Sequence, residues 1–499
     1  MDSTLQQTTK HPKGLYSLFF TEMWERFSFY GMRALLVLYL TSTAMKGGFG
    51  LDRANALEIY AIFTGLVYLT PILGGLLADK FLGQRKSVYI GGFLMAFGNF
   101  ALALSVGLAS AETVALGREA MLNLGLGLLI VGNGFFKPNI STMVGGLYQE
   151  NDIRRDSGFT LFYMGINLGA FLAPLIAGTL GEVYGWQFGF MASGIGMLLG
   201  VVIFFFTSKM LGTVGMPPSA ESGTTEFVGK DWVHILVIVI GVALGTYGLI
   251  TFFTSISDDL YTIIKNSIFG IGALYVLYTV FTNTTGSDQW SRVGVIFILA
   301  FFNIFFWAGF EQAGGTFNLF AEENTNRALG SLTIPTTWFQ SINAFGIFTL
   351  APVFAVLWIF LSRVRKNPNI PAKFGFGMIL LGAGFIVMYL ASQKASGGNL
   401  VSPLWLVGVY LLHTVGELFL SPIGLSMITK LSPPKIVSLM MGLWFTSIAA
   451  ANYMAGILES LLHKFEMNLF LFLIVTSMLA GLVLLALSPL LKKMMRGVS

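Results

Sequence analysis

Fourteen stretches of roughly 20 apolar residues fill most of this chain, each long enough to cross a hydrocarbon core of about 30 Å, so a bilayer is the solvent it is built for. The spans read near 15–42, 54–78, 86–107, 120–147, 157–181 and 187–208, then 231–255 and 260–282. Six more follow near 292–320, 335–362, 372–392, 402–430, 436–460 and 465–490. Only 11% of the 499 residues are charged, against about a quarter in a soluble domain. The 59 glycines suit helices that pack closely where lipid supplies no hydrophobic drive. The chain has no cysteine, which excludes disulfides, thiol nucleophiles and thiolate metal sites. Residues 1–14 are polar and lack a signal-peptide core, so the first apolar segment is expected to remain as a helix.

Six spans, a polar linker with an inserted pair, and six more spans define the expected organisation. It comprises an N-terminal six-helix bundle at 1–208, a linker with two additional transmembrane helices at 209–291, and a C-terminal six-helix bundle at 292–499. Two related bundles facing each other place a solute site near mid-membrane, between the halves. Of the 29 Lys and Arg, 19 fall on one side of this weave, among them Lys10, Lys13, Arg85, Lys86, Arg154, Arg155, Arg363, Arg365, Lys366, Lys492 and Lys493. Seven fall on the other side and three lie inside spans. The bias puts both termini in the cytoplasm, and the compact loops suggest a bacterial inner membrane. The formal charge of +5 is therefore a topology signal and not one for nucleic acid.

An ionisable residue deep in an apolar span is costly, and its default meaning is functional. Seven stand out: Glu22, Glu25, Arg26, Arg33, Lys137, Glu311 and Glu417. On a helix, Glu22, Arg26 and Arg33 stack within about 40° of one another, with Glu25 about 60° to the other side. Two nearby carboxylates cannot both ionise cheaply, whereas adjacent guanidinium groups favour ionisation, so such a face holds or releases a proton as its partners move. The bases belong to the first half, and Glu311 and Glu417 to the second. Pairs across the interface would form an electrostatic gate. A zwitterionic solute fits the same set, with Arg33 and Lys137 on its carboxylate and Glu417, Asn167 and Asn343 on its ammonium. Tyr30, Tyr68, Trp307 and Trp444 are candidate pocket walls. His11, His234, His413 and His463 have no metal-ligand spacing, so no metal is expected. His413 shares the Glu417 face, where packing is the stronger reading.

The run Glu22-Met23-Trp24-Glu25-Arg26-Phe27-Ser28-Phe29-Tyr30 resembles the ExxERFxYY signature of the proton-dependent oligopeptide transporter family, within the major facilitator superfamily. Gly74-Gly75-Leu76-Leu77-Ala78-Asp79-Lys80-Phe81-Leu82-Gly83 is similar to the family's first signature, after span 2. The stretch from Phe159 through Phe162, Tyr163, Asn167 and Gly169 to Phe171 matches its second. The resemblance covers the whole chain. It implies an all-α polytopic membrane protein of the major facilitator fold, with 14 transmembrane helices. It also implies symport of protons with di- and tripeptides by alternating access, without other cofactor and as a monomer.

By the same resemblance Glu22, Glu25, Arg26 and Glu311 serve proton coupling. Tyr30, Arg33, Tyr68, Lys137, Asn167, Trp307, Asn343, Glu417, Ser421 and Trp444 line the peptide site, and Arg33 with Glu311, Lys137 with Glu417 and Arg53 with Glu322 are gating pairs. Two positions depart from the pattern: Phe29 replaces a common tyrosine, and Ala61 stands where animal members carry a histidine. A proton-coupled carrier of drugs or amino acids is the competing reading. A membrane enzyme lacks a nucleophile or metal set, and a channel would need rings of like charge.

Overall fold

A computed structural model describes residues 10–107, 112–149, 152, 154–217, 226–227, 229–255, 260, 267 and 274–497. The helices are α1 (Gly14–Thr41), α2 (Arg53–Leu77), α3 (Gln84–Gly107), α4 (Glu112–Gly146), α5 (Arg155–Ala173), α6 (Trp186–Thr207) and α7 (Gly229–Ser255). They continue with α8 (Gly286–Phe310), α9 (Thr316–Asn324), α10 (Ser341–Arg363), α11 (Ile370–Ala395), α12 (Leu404–Leu431), α13 (Val437–His463) and α14 (Leu469–Met494). Eleven spans among the described residues are long and apolar enough to cross a membrane. The 28-residue α1 is long enough but carries four ionisable residues, and the apolar part of α12 is shorter. Of the second inserted span, expected at 260–282, residues 260, 267 and 274–282 are described, and they are helical, while 261–266 and 268–273 lie outside the described residues. A short hairpin, Ala328–Leu329 paired antiparallel with Leu332–Thr333, was not expected from the sequence.

The chain forms two compact units. The first comprises Met1–Leu35, Ala44–Gly47 and Leu69–Tyr247, and the second Leu36–Thr43, Gly48–Tyr68 and Gly248–Ser499. Within the first unit, glycines let α3 and α4 meet backbone to backbone. A Cβ on Gly91 would lie 2.5 Å from the Gly132 carbonyl oxygen, and one on Gly98 2.8 Å from that of Gly125. The second unit repeats the device. A Cβ on Gly377 (α11) would lie 2.8 Å from the Gly416 oxygen (α12), and one on Gly375 3.0 Å from the Gly481 oxygen (α14). Dispersion and small-residue contact replace the hydrophobic effect here, because lipid is as apolar as leucine. A wide aromatic core built on Phe306, Phe317, Phe374 and Phe385 fills the second unit.

Near the start of α1, Arg154 donates to the Lys10 carbonyl at 2.7 Å, and His11 Nδ1 lies 2.9 Å from the Tyr148 hydroxyl. The Arg154 guanidinium also hydrogen-bonds Asp152 and holds its carboxyl down at about 2.

Gly91→Ala should lower the melting temperature of the detergent-solubilised protein, at a cost of about 1–3 kcal/mol for forced overpacking. Gly294→Ala, whose new methyl meets only the tip of Met494 at 3.5 Å, should leave it unchanged or raise it. Thermal unfolding of both variants checks the pair.

Candidate functional site

The charged face of α1 closes on itself. Arg26 Nε lies 3.2 Å from Glu22 Oε1, one turn earlier. The same guanidinium grips the neighbouring Glu25 with two prongs, Nη2 to Oε1 at 2.6 Å and Nε to Oε2. Glu25 Oε1 also faces the Asn133 amide of α4, 3.4 Å away. The Arg26 guanidinium carbon sits 5.4 Å from the centre of the Phe29 ring, so the phenylalanine that departs from the family pattern supplies a cation–π face. Glu22, Glu25 and Arg26 are 2%, 0% and 4% exposed. One guanidinium therefore serves two buried carboxylates, and Glu22 Oε2 is left with no hydrogen-bond partner among the described residues. An unsatisfied carboxylate oxygen in a low-dielectric site is costly, and a proton relieves it at the smallest volume. The Lys137 ammonium contributes to the field at Glu22.

Neighbouring backbones are brought onto this cluster by glycines. A Cβ on Gly169 of α5 would lie 2.1 Å from the Met23 carbonyl oxygen and 2.9 Å from Arg26 Cβ, and one on Gly165 3.0 Å from the Phe19 oxygen. These glycines of the second signature let α5 seal α1. Gly74, from the first signature, does the same for α4, since its Cβ would fall 2.0 Å from the Gly134 oxygen. That carbonyl stands four residues before Pro138, which has no N–H to give it. Lys137 therefore projects from a helix locally loosened by proline. Asn167 spends its amide on the Tyr163 carbonyl at 2.9 Å, and Arg33 lies over the Tyr30 ring at 5.7 Å.

The second unit holds the other acids. Asn343 Nδ2 donates to Glu417 Oε2 at 2.9 Å and to Thr414 Oγ1 at 3.0 Å. Glu417 is 8% exposed, and Glu311 lies within electrostatic range of it. Glu311 sits where the expected span 292–320 breaks, between the end of α8 and the start of α9. Gln312 stitches the break, donating to the Ala308 and Ala455 carbonyls at 3.1 and 2.9 Å and accepting from Thr316 at 2.8 Å. Trp307 packs edge-on against Phe306 and Phe310. Trp444 is buried against Phe374. Tyr68 is half-buried in this unit, and the Ser421 side chain lies outside the described residues. His413 is boxed by Phe385, Phe317 and Phe310 and hydrogen-bonds the Leu381 carbonyl at 3.2 Å, which makes it a packing residue. Gly456 of α13 packs directly on Ala61, since a Cβ added at 456 would lie 2.4 Å from the Ala61 Cβ.

The pair expected between Arg53 and Glu322 is corrected. Arg53 grips Glu459 and also reaches Glu323 at 3.0 Å, while Glu322 pairs with Arg327 and accepts from Thr336 at 2.6 Å. Helix periodicity explains the swap, because Glu322 and Glu323 point about 100° apart. Glu459, which also accepts from Thr316 at 2.8 Å, was missed because an acid near a span end reads as a loop charge. Asn133 was missed although it lies one helical turn before Lys137, on the same face.

A model of the POT family matches residues 85–475. The chain belongs to the POT family. The peptide transporter YePEPT of Yersinia enterocolitica subsp. palearctica is 43% identical over 460 residues, spanning 90% of this chain and 87% of that one. A di-/tripeptide transporter of Lactococcus lactis subsp. cremoris is 35% identical across 97% of this chain and 96% of its own. A crystal structure of a mutant peptide transporter POT in complex with alafosfalin superposes with a TM-score of 0.82 at 37% identity, covering 98% of this chain and 97% of that one. The expected class holds: an all-α polytopic membrane protein of the major facilitator fold and a transporter, not an enzyme. The α1 cluster lies before the segment that the family model matches, but within the reach of the Lactococcus relative.

Glu459→Gln should cost about 1.5–3 kcal/mol, the range for a hydrogen bond to a charged group. Glu322→Gln, which loosens the half-exposed pair with Arg327 while its amide oxygen can still accept from Thr336, should cost about 1 kcal/mol or less. Denaturation of both variants, with Arg53→Gln as the common reference, checks the reassigned partner.

Proposed function

We propose that this chain is a proton-coupled symporter that imports di- and tripeptides by alternating access. The observation that carries the reading is the buried Glu22–Arg26–Glu25 cluster, with Glu22 Oε2 open. With both acids ionised, Arg26 must divide itself between two carboxylates. A proton on Glu22 removes the excess negative charge and leaves Arg26 to Glu25 alone. Inward movement of that proton supplies about 2.3 kcal/mol per charge per 100 mV of membrane potential. The relatives that carry peptide and di-/tripeptide transporter names support the substrate class.

In this mechanism the first bundle, 1–208, and the second, 292–499, alternate around a central site, with the 209–291 pair beside them. Arg33 with Glu311 and Lys137 with Glu417 act as gating pairs, each a base of one bundle with an acid of the other. Protonation or peptide binding competes with them. Arg33 and Lys137 receive the peptide carboxylate. Glu417, steadied by Asn343, receives the ammonium with Asn167. Tyr30, Tyr68, Trp307, Ser421 and Trp444 shape the pocket, and Arg53 with Glu459 and Glu323 fastens one end of α2. Proton coupling rests on Glu22, Glu25, Arg26 and Glu311. The proton is the only coupling ion, and the protein works as a monomer. It resides in a bacterial inner membrane with both termini cytoplasmic, as its Lys and Arg bias favours.

Uptake of a labelled dipeptide into liposomes, with and without an inward proton gradient, tests this. Wild type should accumulate dipeptide only with the gradient. Glu22→Gln should lose accumulation but keep peptide exchange. Absence of both uptake and competition by dipeptides would assign the carrier to another solute.

A further inference from the structure

The turn between α10 and α11 carries Arg363, Arg365 and Lys366, all exposed, and Lys373 follows in the first turns of α11. No Asp or Glu occurs between Glu323 and Glu417, and none of these four cations has an acidic partner among the described residues. Retention of loops on the positive side of a membrane accounts for the three exposed cations. It does not account for Lys373, which is 8% exposed. Its Nζ lies 4.0 Å from the centre of the Trp358 ring. Trp358 meets Phe419 at 5.2 Å and Phe354 at 5.8 Å, and Phe376 closes on Phe419 at 6.1 Å. Aromatic faces attract a cation but accept little hydrogen bonding, so the ammonium keeps its three donors for another acceptor. An ammonium largely withdrawn from water, with no counter-ion among the described residues, is costly. Apolar surface lies alongside: Val356, Ile359 and Phe360 of α10 are 68%, 56% and 59% exposed, and Phe376 of α11 41%. Lys373 is the fourth residue of the 26-residue α11, a helix longer than a hydrocarbon core of about 30 Å, which sets it toward a headgroup layer.

We propose that Lys373, with Arg363, Arg365 and Lys366, binds the phosphate of an anionic phospholipid. The Lys373 ammonium donates to the phosphate oxygens, the three exposed cations surround the headgroup, and the acyl chains lie along Val356, Ile359, Phe360 and Phe376. Lys373 is thereby given the counter-ion that the protein lacks.

The test titrates the full chain, in maltoside micelles, with phosphatidylglycerol, phosphatidylcholine or inorganic phosphate, reading lipid-bound species by native mass spectrometry and the melting temperature in parallel. Phosphatidylglycerol should bind wild type and raise its melting temperature, whereas phosphatidylcholine and inorganic phosphate should not. Lys373→Met, which keeps an apolar stem against Trp358, should weaken phosphatidylglycerol binding about fivefold or more, the factor one cation contributes near an anionic surface. The surface triple variant R363Q/R365Q/K366Q, whose residues are all exposed, should weaken it at least as much. Lys373→Arg should retain it. Equal binding of phosphatidylcholine, unchanged phosphatidylglycerol binding in Lys373→Met or in the triple variant, or the same stabilisation by inorganic phosphate would each overturn the proposal.

Discussion

Arg26, shared between Glu22 and Glu25 inside an apolar helix, is the interaction on which the rest of the first unit depends. Three ionisable groups are tolerated there only if water and lipid are both excluded and every charge but one is answered. Exclusion is the work of backbones, not side chains. Gly165 and Gly169 bring α5 to within van der Waals reach of α1, and Gly74 brings α2 onto α4 beside Lys137. The signature stretches that mark the family are in this sense the packing conditions for one buried ion cluster.

The second unit is built on the same small-residue contacts but carries acids where the first carries bases. Its two intramembrane acids are treated differently. Glu417 is steadied by Asn343 and lies on an unbroken helix, whereas Glu311 occupies a helix break held by Gln312 and Thr316. Lys137 in the first unit likewise stands beside Pro138. Charges set next to backbone irregularities have local freedom to change partner, which a straight and fully bonded helix denies them. The exchange of ion pairs proposed above needs that freedom.

Much of this was legible in the sequence because the membrane makes the signal large. Burying a charge costs enough that Glu22, Glu25, Arg26, Lys137, Glu311 and Glu417 stand out from their apolar surroundings. Span positions follow from length and apolarity alone. What was not legible depends on three-dimensional neighbours. The partner of Arg53 lies far along the chain at Glu459, and no periodicity connects them. The break after Phe310 has only Gly314 and Gly315 to announce it, and glycine is common throughout the spans. Asn133 carries no charge to single it out in its span, and only the fold shows its amide facing Glu25. Ala61 reads in the sequence as a missing histidine, and only the fold shows Gly456 packed directly on it.

In the proposed mechanism the coupling proton goes to Glu22, whose Oε2 has no hydrogen-bond partner among the described residues, and not to Glu25, which Arg26 holds with two prongs. Infrared difference spectra between acidic and alkaline media, recorded on membranes of wild type, Glu22→Gln and Glu25→Gln, test it most directly. A protonated-carboxyl band that disappears in Glu22→Gln and persists in Glu25→Gln is expected. A band that survives Glu22→Gln and is lost in Glu25→Gln would contradict it.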